Sequence, residues 1–301
     1  MGNKRFVVLI FVLAAVLTSS PAFAQTSWPA PVWPRAAQDK DKNPAGPAPR
    51  HNISGMWGPA AGPSAGTQVS GVAAMPNDGR PEHQLPYTPY GLKLYKSHKA
   101  LEGYDAVAPG EQNDPRELCD PLGFPRSNHY QIRLTQIFQD DVKVVMLYQY
   151  DNRWRIIWTD GRELPKLLEQ GVQIGDQLKE QRFYGYSVGK WVDDTTLVVQ
   201  TVGTMPEDRV WLDSTGRPIS DRVRVAETYH RVDNDTLEWS ETIDDPKIYT
   251  RPWVTVDKFP LKLKDPRTDV MEYYCSPTEQ MRYDKLFSDP TSGSDGKAPE
   301  R

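Results

Sequence analysis

The sequence predicts a mainly β fold, an antiparallel meander closing into a barrel, with a short helix and a loop-rich N-terminal cover. Three observations carry this. The first is a repeated pattern between Gly185 and Asp245: Trp191-Val192-Asp193-Asp194-Thr195-Thr196-Leu197 returns as Arg231-Val232-Asp233-Asn234-Asp235-Thr236-Leu237. Each copy sets an Asp/Asn-rich knot between runs that alternate apolar and polar residues. Asp and Asn tolerate left-handed backbone and strand side chains alternate faces, so each copy reads as a hairpin. The second is that similar runs recur on both sides, for roughly eight to ten short strands at meander spacing. The third is length: the mature chain suits a single closed β domain, and closure removes the exposed edges that a secreted chain must hide.

Taken in order, residues 1–24 read as an export signal. Lys4 and Arg5 are its charged region, Phe6 to Leu17 its apolar run, and Ala22-Phe23-Ala24 its small-x-small cleavage site. The apolar run is shorter than the about 20 residues of a membrane span, so no stable membrane insertion is expected. A periplasmic or secreted location follows. Residues 25–79 are rich in Pro, Gly, Ala and Ser and read as an extended or disordered arm, because such composition buries too little to offset ordering entropy. Residues 80–284 form the single barrel domain with its helical and loop cover, and residues 285–301 a disordered tail.

Within the domain, Leu85 to Tyr104 carries a helical pattern, with Leu92, Tyr95 and Leu101 apolar, Lys93, Lys96 and Lys99 outward, and Pro86 and Pro89 at its start. A turn-rich loop, Asn113-Asp114-Pro115 to Arg126, should cover one edge or mouth of the barrel. Strands follow at Gln131–Phe138, Val142–Tyr150 and Arg153–Thr159. In the last, Trp154, Ile156 and Trp158 alternate with Arg153, Arg155 and Ile157, so both faces are partly apolar, as in a strand whose outer side is also covered. Leu164, Leu167, Leu168 and Val172 suggest a short helix. After the twin hairpins, Ile248–Leu263 gives one or two strands and Val270–Tyr274 the last. The two cysteines, Cys119 and Cys275, most simply form one disulfide in an exported chain. No His near either has ligand spacing, which makes a metal site or Cys nucleophile the poorer reading.

The hairpin register supplies the chemistry. A loop at Asp233-Asn234-Asp235 sets Tyr229 against Trp239, Val225 against Ile243 and Glu227 against Glu241, since a slip of one residue would turn every side chain over. Two carboxylates then face each other from the apolar side, with Cβ atoms about 4.5–5.5 Å apart. In a dry site they would share a proton, one acting as acid and the other as base. Alternatively the face is partly wet, or each Glu pairs with an Arg from a neighbouring strand. Arg155 is the obvious candidate. The first hairpin sets Ser187 against Thr201 and Gly189 against Val199, below Trp191 and Leu197, so if both hairpins line one interior, Ser187, Thr201, Glu227 and Glu241 would form a polar band in an apolar cavity.

Composition excludes several functions. A formal charge of −4 and the lack of a Lys/Arg stripe argue against nucleic acid as a partner. There is no phosphate-cradling Gly-x-x-x-x-Gly-Lys, no dinucleotide fingerprint and no Gly-x-Ser-x-Gly elbow, so no cofactor is expected. The five histidines are scattered, and no metal site is expected.

Ile53-Ser54-Gly55-Met56-Trp57 resembles the Gly-x-Trp that opens the first strand of lipocalins and their calycin relatives, where the Trp closes one end of the barrel. This makes the expected barrel lipocalin-like. Separately, Cys119-Asp-Pro-Leu-Gly-Phe-Pro-Arg126, Trp154-Arg155-x-x-x-Thr159-Asp160-Gly-Arg162, Gly185-Tyr-Ser-Val-Gly-Lys-Trp191 and Asp244-Asp245-Pro-x-x-Tyr249-Thr-x-Pro-Trp253 resemble a group of exported bacterial proteins without an assigned activity. That resemblance implies a fold unit and an exported location, and no reaction. The function expected is binding of a small, partly apolar or aromatic ligand in the barrel between Trp191, Tyr229 and Trp239, oriented by Glu227, Glu241 and Arg155, with Ser187 and Thr201 also lining the site. The alternative is an acid–base enzyme, an isomerase or hydrolase, working through Glu227 and Glu241.

Overall fold

Among the described residues twelve strands form, nine of which close into one barrel. The computed structural model describes residues 46–60, 72, 74–129, 134–149, 153–168, 171–174, 178–270, 272 and 274–283. The segments read from the sequence as an export signal, the start of the arm and the C-terminal tail lie outside the described residues. Strands β1 (Gly55–Pro59), β2 (Thr135–Gln139), β3 (Lys143–Tyr148) and β4 (Arg153–Trp158) make one arc of the wall. Strands β8 (Tyr186–Trp191), β9 (Thr196–Val202), β10 (Arg224–Arg231), β11 (Thr236–Asp244) and β12 (Trp253–Leu263) make the other. The mainly β barrel expected from the sequence is therefore present.

Both hairpins keep the expected register. Tyr229 opposes Trp239, Val225 opposes Ile243 and Glu227 opposes Glu241, while Ser187 opposes Thr201 and Trp191 opposes Leu197. Turn chemistry accounts for this. Asp233 Oδ1 accepts from Asp235 N and its Oδ2 from Thr236 Oγ1, and Asp193 Oδ1 likewise accepts from Thr195 N.

Elsewhere the chain departs from expectation. The Gly-x-Trp segment is not part of a loose arm: it is β1, which pairs with β2 on one side and β12 on the other and so closes the barrel. Trp57 is buried, its Nε1 donating to Ile53 O at 2.9 Å. The helix expected near Leu164 is instead a small separate sheet, β5 (Lys166–Leu168), β6 (Gly171–Ile174) and β7 (Leu178–Glu180). In the Leu85–Tyr104 segment the helix is α1 (Pro89–Ser97), whose Leu92, like Leu101 beyond it, is exposed rather than packed inward. Ile248–Leu263 yields the one strand β12, and the described residues near Val270 are not in a strand. The meander also has one break. β4 and β8 run parallel, because the chain leaves the wall through β5–β7 and crosses over to re-enter at the opposite end, and they share only the pairs Ile157–Ser187 and Trp158–Val188.

Two apolar cores result. One fills the barrel, with Trp57, Ile137, Met146, Ile157, Leu197, Tyr229 and Trp239 among its members. The other lies under the cover, where Leu85, Phe124, Val210, Leu212, Ile219 and Tyr249 pack on Val225, Ile243 and Trp253. Cys119 and Cys275 are joined, Cα to Cα 5.4 Å, so the cover is tied to the segment after the last strand.

Candidate functional site

The cover loop drives a short helix, α2 (Arg126–His129), into the barrel, where all four of its residues are buried. Gly123 makes the entry possible. Its φ is +69°, and a Cβ there would lie 2.6 Å from Val210 Cγ2 and 2.9 Å from Phe183 O. Arg126 anchors the loop through a two-pronged ion pair with Asp114, at 2.7 and 2.5 Å. Asn128 and His129 then reach the polar band.

Successive pairs along β10 and β11 place that band. Tyr229 and Trp239 belong to the barrel core, Val225 and Ile243 to the core under the cover, and Glu227 and Glu241 lie between them. Both carboxylates are 1% exposed. They point inward as the register requires, yet each takes partners other than its neighbour. Arg155 grips Glu227 end-on, Nη1 to Oε1 at 3.1 Å and Nη2 to Oε2 at 2.5 Å. Tyr229 OH and Asn128 Nδ2 also donate to Glu227 Oε1, at 2.7 and 3.0 Å. Glu241 Oε1 meets His129 Nε2 at 2.7 Å and accepts from Thr255 Oγ1 at 2.8 Å. Of the alternatives read from the sequence, pairing with an arginine describes Glu227, though the arginine comes from β4, with β8 and β9 between it and β10, rather than from a neighbouring strand, and a histidine plays the corresponding part for Glu241.

Arg155 uses its remaining donors on the first hairpin: Nε donates to Ser187 Oγ at 3.0 Å and Nη2 to Thr201 Oγ1 at 2.8 Å, and the two hydroxyls are 2.9 Å apart. Its guanidinium lies 3.8 Å from the centre of the Phe124 ring. Burial, the largest single influence, would lower the pKa of Arg155, but the charge and hydrogen bonds of Glu227 together with Tyr148 and Tyr229 outweigh it and the net shift is upward, so the cation persists at every accessible pH. Burial, then the charge of Glu227, lifts Tyr229 well above the ordinary phenol value, and burial lifts Tyr148 to about 12. Both phenols stay protonated, which keeps Tyr229 a donor.

The sequence therefore pointed to Arg155, Ser187, Thr201, Glu227 and Tyr229, which meet in one network, and to Trp239 and Glu241, which meet at His129. Trp191 stands apart. It is four residues beyond Ser187 on β8, about 13 Å along the strand, and stacks on His51 with ring centres 5.1 Å apart. Asn128, His129 and Thr255 were missed, and no local signal marks them: His129 lies 112 positions from its partner.

The network reaches the surface at the β4–β8 seam. Upstream of the two shared pairs the strands diverge, leaving a cleft of about 350 Å³ between Arg153–Ile156 and Phe183–Ser187. Trp154, Ile156, Trp158, Phe183, Tyr184 and Tyr186 wall it, and Arg155 and Ser187 are also among its lining residues. Trp154 and Ile156 face outward and are exposed, so the outer side of β4 is uncovered, contrary to the sequence reading. The buried face carries Arg155 and Ile157. Phe124 N donates to Phe183 O at 2.8 Å, fastening the cleft wall to the cover loop. Among the described residues no group of three His, Cys, Asp or Glu side chains is arranged to hold a metal ion, and no helix is long and apolar enough to cross a membrane. Compared with known proteins, the chain matches no family model, no curated protein and no solved structure.

Proposed function

We propose that this is an exported binding protein whose small, partly apolar or aromatic ligand occupies the cleft at the β4–β8 seam. The observation that carries the reading is the cleft itself: an opening in the barrel wall, lined by aromatic side chains with the buried Arg155 and Ser187 among its lining residues. Apolar walls with a few fixed polar groups are the usual composition of small-molecule sites. The Glu227 network holds Arg155 and Ser187 in place, so a ligand would meet a preorganised floor. Mass spectrometry of the protein after native purification should detect a retained small molecule. Trp154→Ala alters an exposed side chain and should weaken its binding about 2- to 10-fold, the worth of one aromatic contact. Unchanged affinity in Trp154→Ala would remove the ligand from the cleft.

A second reading, acid–base chemistry on such a ligand, is favoured by one specific contact. Glu241 is buried against His129 rather than neutralised by an arginine, a pairing suited to moving a proton. Glu241→Gln separates the two readings. An enzyme would lose about 100-fold or more in turnover, while a binder would keep its ligand in the cleft.

A further inference from the structure

The lining of the seam cleft carries charge of one sign. Arg153, Arg155 and Arg182 are among its residues, and among the described residues no aspartate or glutamate lines it. Two further guanidiniums rest on its walls. Arg162 lies 3.7 Å from the centre of the Trp158 ring and donates to Tyr186 OH at 2.8 Å, and Arg209 lies 5.1 Å from the centre of the Phe183 ring. The carboxylates that pair with Arg155, Arg162, Arg182 and Arg209 are Glu227, Asp160, Glu180 and Asp120, and none of them lines the cleft. In a chain of formal net charge −4, this opening is a local reversal of sign.

The arginines are not equally able to meet a ligand. Arg155 directs its donors to Glu227, Ser187 and Thr201 and is a fixed part of the site. Arg182 is placed differently. Its backbone N donates to Gly203 O at 2.9 Å, which fixes the root of the side chain, and its guanidinium lies 5.6 Å from the centre of the Tyr186 ring. Its Nη2 donates to Glu180 Oε2 at 2.6 Å, with the two side chains 42% and 40% exposed. An exposed pair of this kind is worth little, so the guanidinium can turn to an incoming oxyanion at small cost. The planar fork of an arginine matches the two oxygens of a carboxylate.

Aromatic walls alone would also suit a cation, but the arginines already against these rings repel one. We infer that the ligand of the seam cleft is an aromatic or apolar carboxylate, its body held among Trp154, Phe183 and Tyr184 and its charged end bonded by Arg182. This rests on the cleft being the ligand site and adds the chemical class that the site selects.

Titration calorimetry with 2-naphthoate and 2-naphthamide tests it, because the amide has the same rings and no charge. At about 20 mM sodium chloride the acid should bind about 5-fold or more tightly than the amide, and about 0.5 M salt should weaken the acid alone. Arg182→Gln should weaken 2-naphthoate about 3- to 10-fold and leave the amide unchanged, whereas Trp154→Ala should weaken both. Arg182 is exposed, which keeps the fold out of that comparison, and the salt dependence of the wild type repeats the test without a substitution. Equal binding of the two compounds, or an equal loss of both in Arg182→Gln, would overturn the inference. If Trp154→Ala still weakened both, the cleft would remain the site and only its preference for an anion would fall. Binding of neither compound would overturn the inference too, and would leave the cleft itself to the search for a retained molecule. Binding of the acid that neither variant weakens would place it elsewhere and overturn the inference as well.

Discussion

Replacing Arg155 with methionine tests the buried network at its centre. The substitution keeps an unbranched apolar stem and removes four hydrogen bonds: two to Glu227, one to Ser187 and one to Thr201. Ser187 and Thr201 retain each other, and Glu227 Oε1 retains Tyr229 and Asn128, but Oε2 loses its cation inside a barrel where water does not replace it. Removing one partner of a buried ion pair costs about 3–5 kcal/mol. For a domain of this size that corresponds to a fall in Tm of roughly 6–20 °C, at about 2–4 °C per kcal/mol. Urea unfolding of Arg155→Met, Glu227→Gln and the double variant gives the cycle. The double variant should be more stable than the sum of the singles by about 1–3 kcal/mol, because it leaves no unpaired charge. A loss below about 1 kcal/mol in Arg155→Met is what an exposed pair would give. It would mean that the guanidinium and carboxylate are not joined inside the barrel, and the floor assigned to the cleft would go with them.

Other perturbations probe the parts that hold this centre. Removing the Cys119–Cys275 bridge by a double serine substitution should cost about 2–5 kcal/mol in urea unfolding, and no loss would mean that the cover docks without its tether. Gly91→Ala lies in α1, where alanine normally gains about 0.8–1.0 kcal/mol over glycine. Here its Cβ would lie 2.2 Å from Ile248 O, so a net loss of about 1–3 kcal/mol is expected, and a gain would refute that packing. His98 stacks on Trp211 and meets Gly216 O at 2.7 Å. Burial pushes its pKa below 6.5, against the smaller opposing effect of that hydrogen bond. A depressed folded pKa means that its contribution is present above pH 6.5 and is lost as pH falls through the folded value. Urea midpoints should therefore drop on acidification from pH 6.5, and less steeply in His98→Phe, which keeps a ring on Trp211. An equal slope in both would show that His98 is not buried neutral.

What the sequence disclosed about the site follows from the range of the forces involved. The facing of Glu227 and Glu241 was legible because two local rules act together: Asp-rich knots fix the turn, and a period of two fixes every side chain once the turn is known. Arg155 was visible as a cation on an aromatic-rich strand, but which face of β4 turned inward was not. Trp154, Ile156 and Trp158 make as good an apolar face as Arg155 and Ile157, and only the carboxylate 72 positions away decides between them. The small sheet β5–β7 was read as a helix because its leucines and Val172 recur at helical spacing. Part of what selects a strand is again distant: Val172 packs where Gly203 has no side chain, and a Cβ on Gly203 would lie 2.0 Å from Val172 Cγ2. Asn128 and His129 were illegible for the same reason in stronger form, as loop residues without periodicity whose roles exist only once the cover has docked.

That dependence says how the molecule must be assembled. The carboxylate pair lies at the boundary between two apolar cores, and each core is completed by a different part of the chain. A barrel formed without its cover would hold Glu227 and Glu241 at an open mouth, Glu227 short of Asn128 and Glu241 short of His129. Docking of α2 supplies the missing donors, and Phe124 closes over the guanidinium of Arg155 in the same movement. The cleft wall is fastened to that loop through Phe124 N and Phe183 O. Whatever loosens the cover should therefore loosen the seam cleft and the surroundings of Glu227 and Glu241 together.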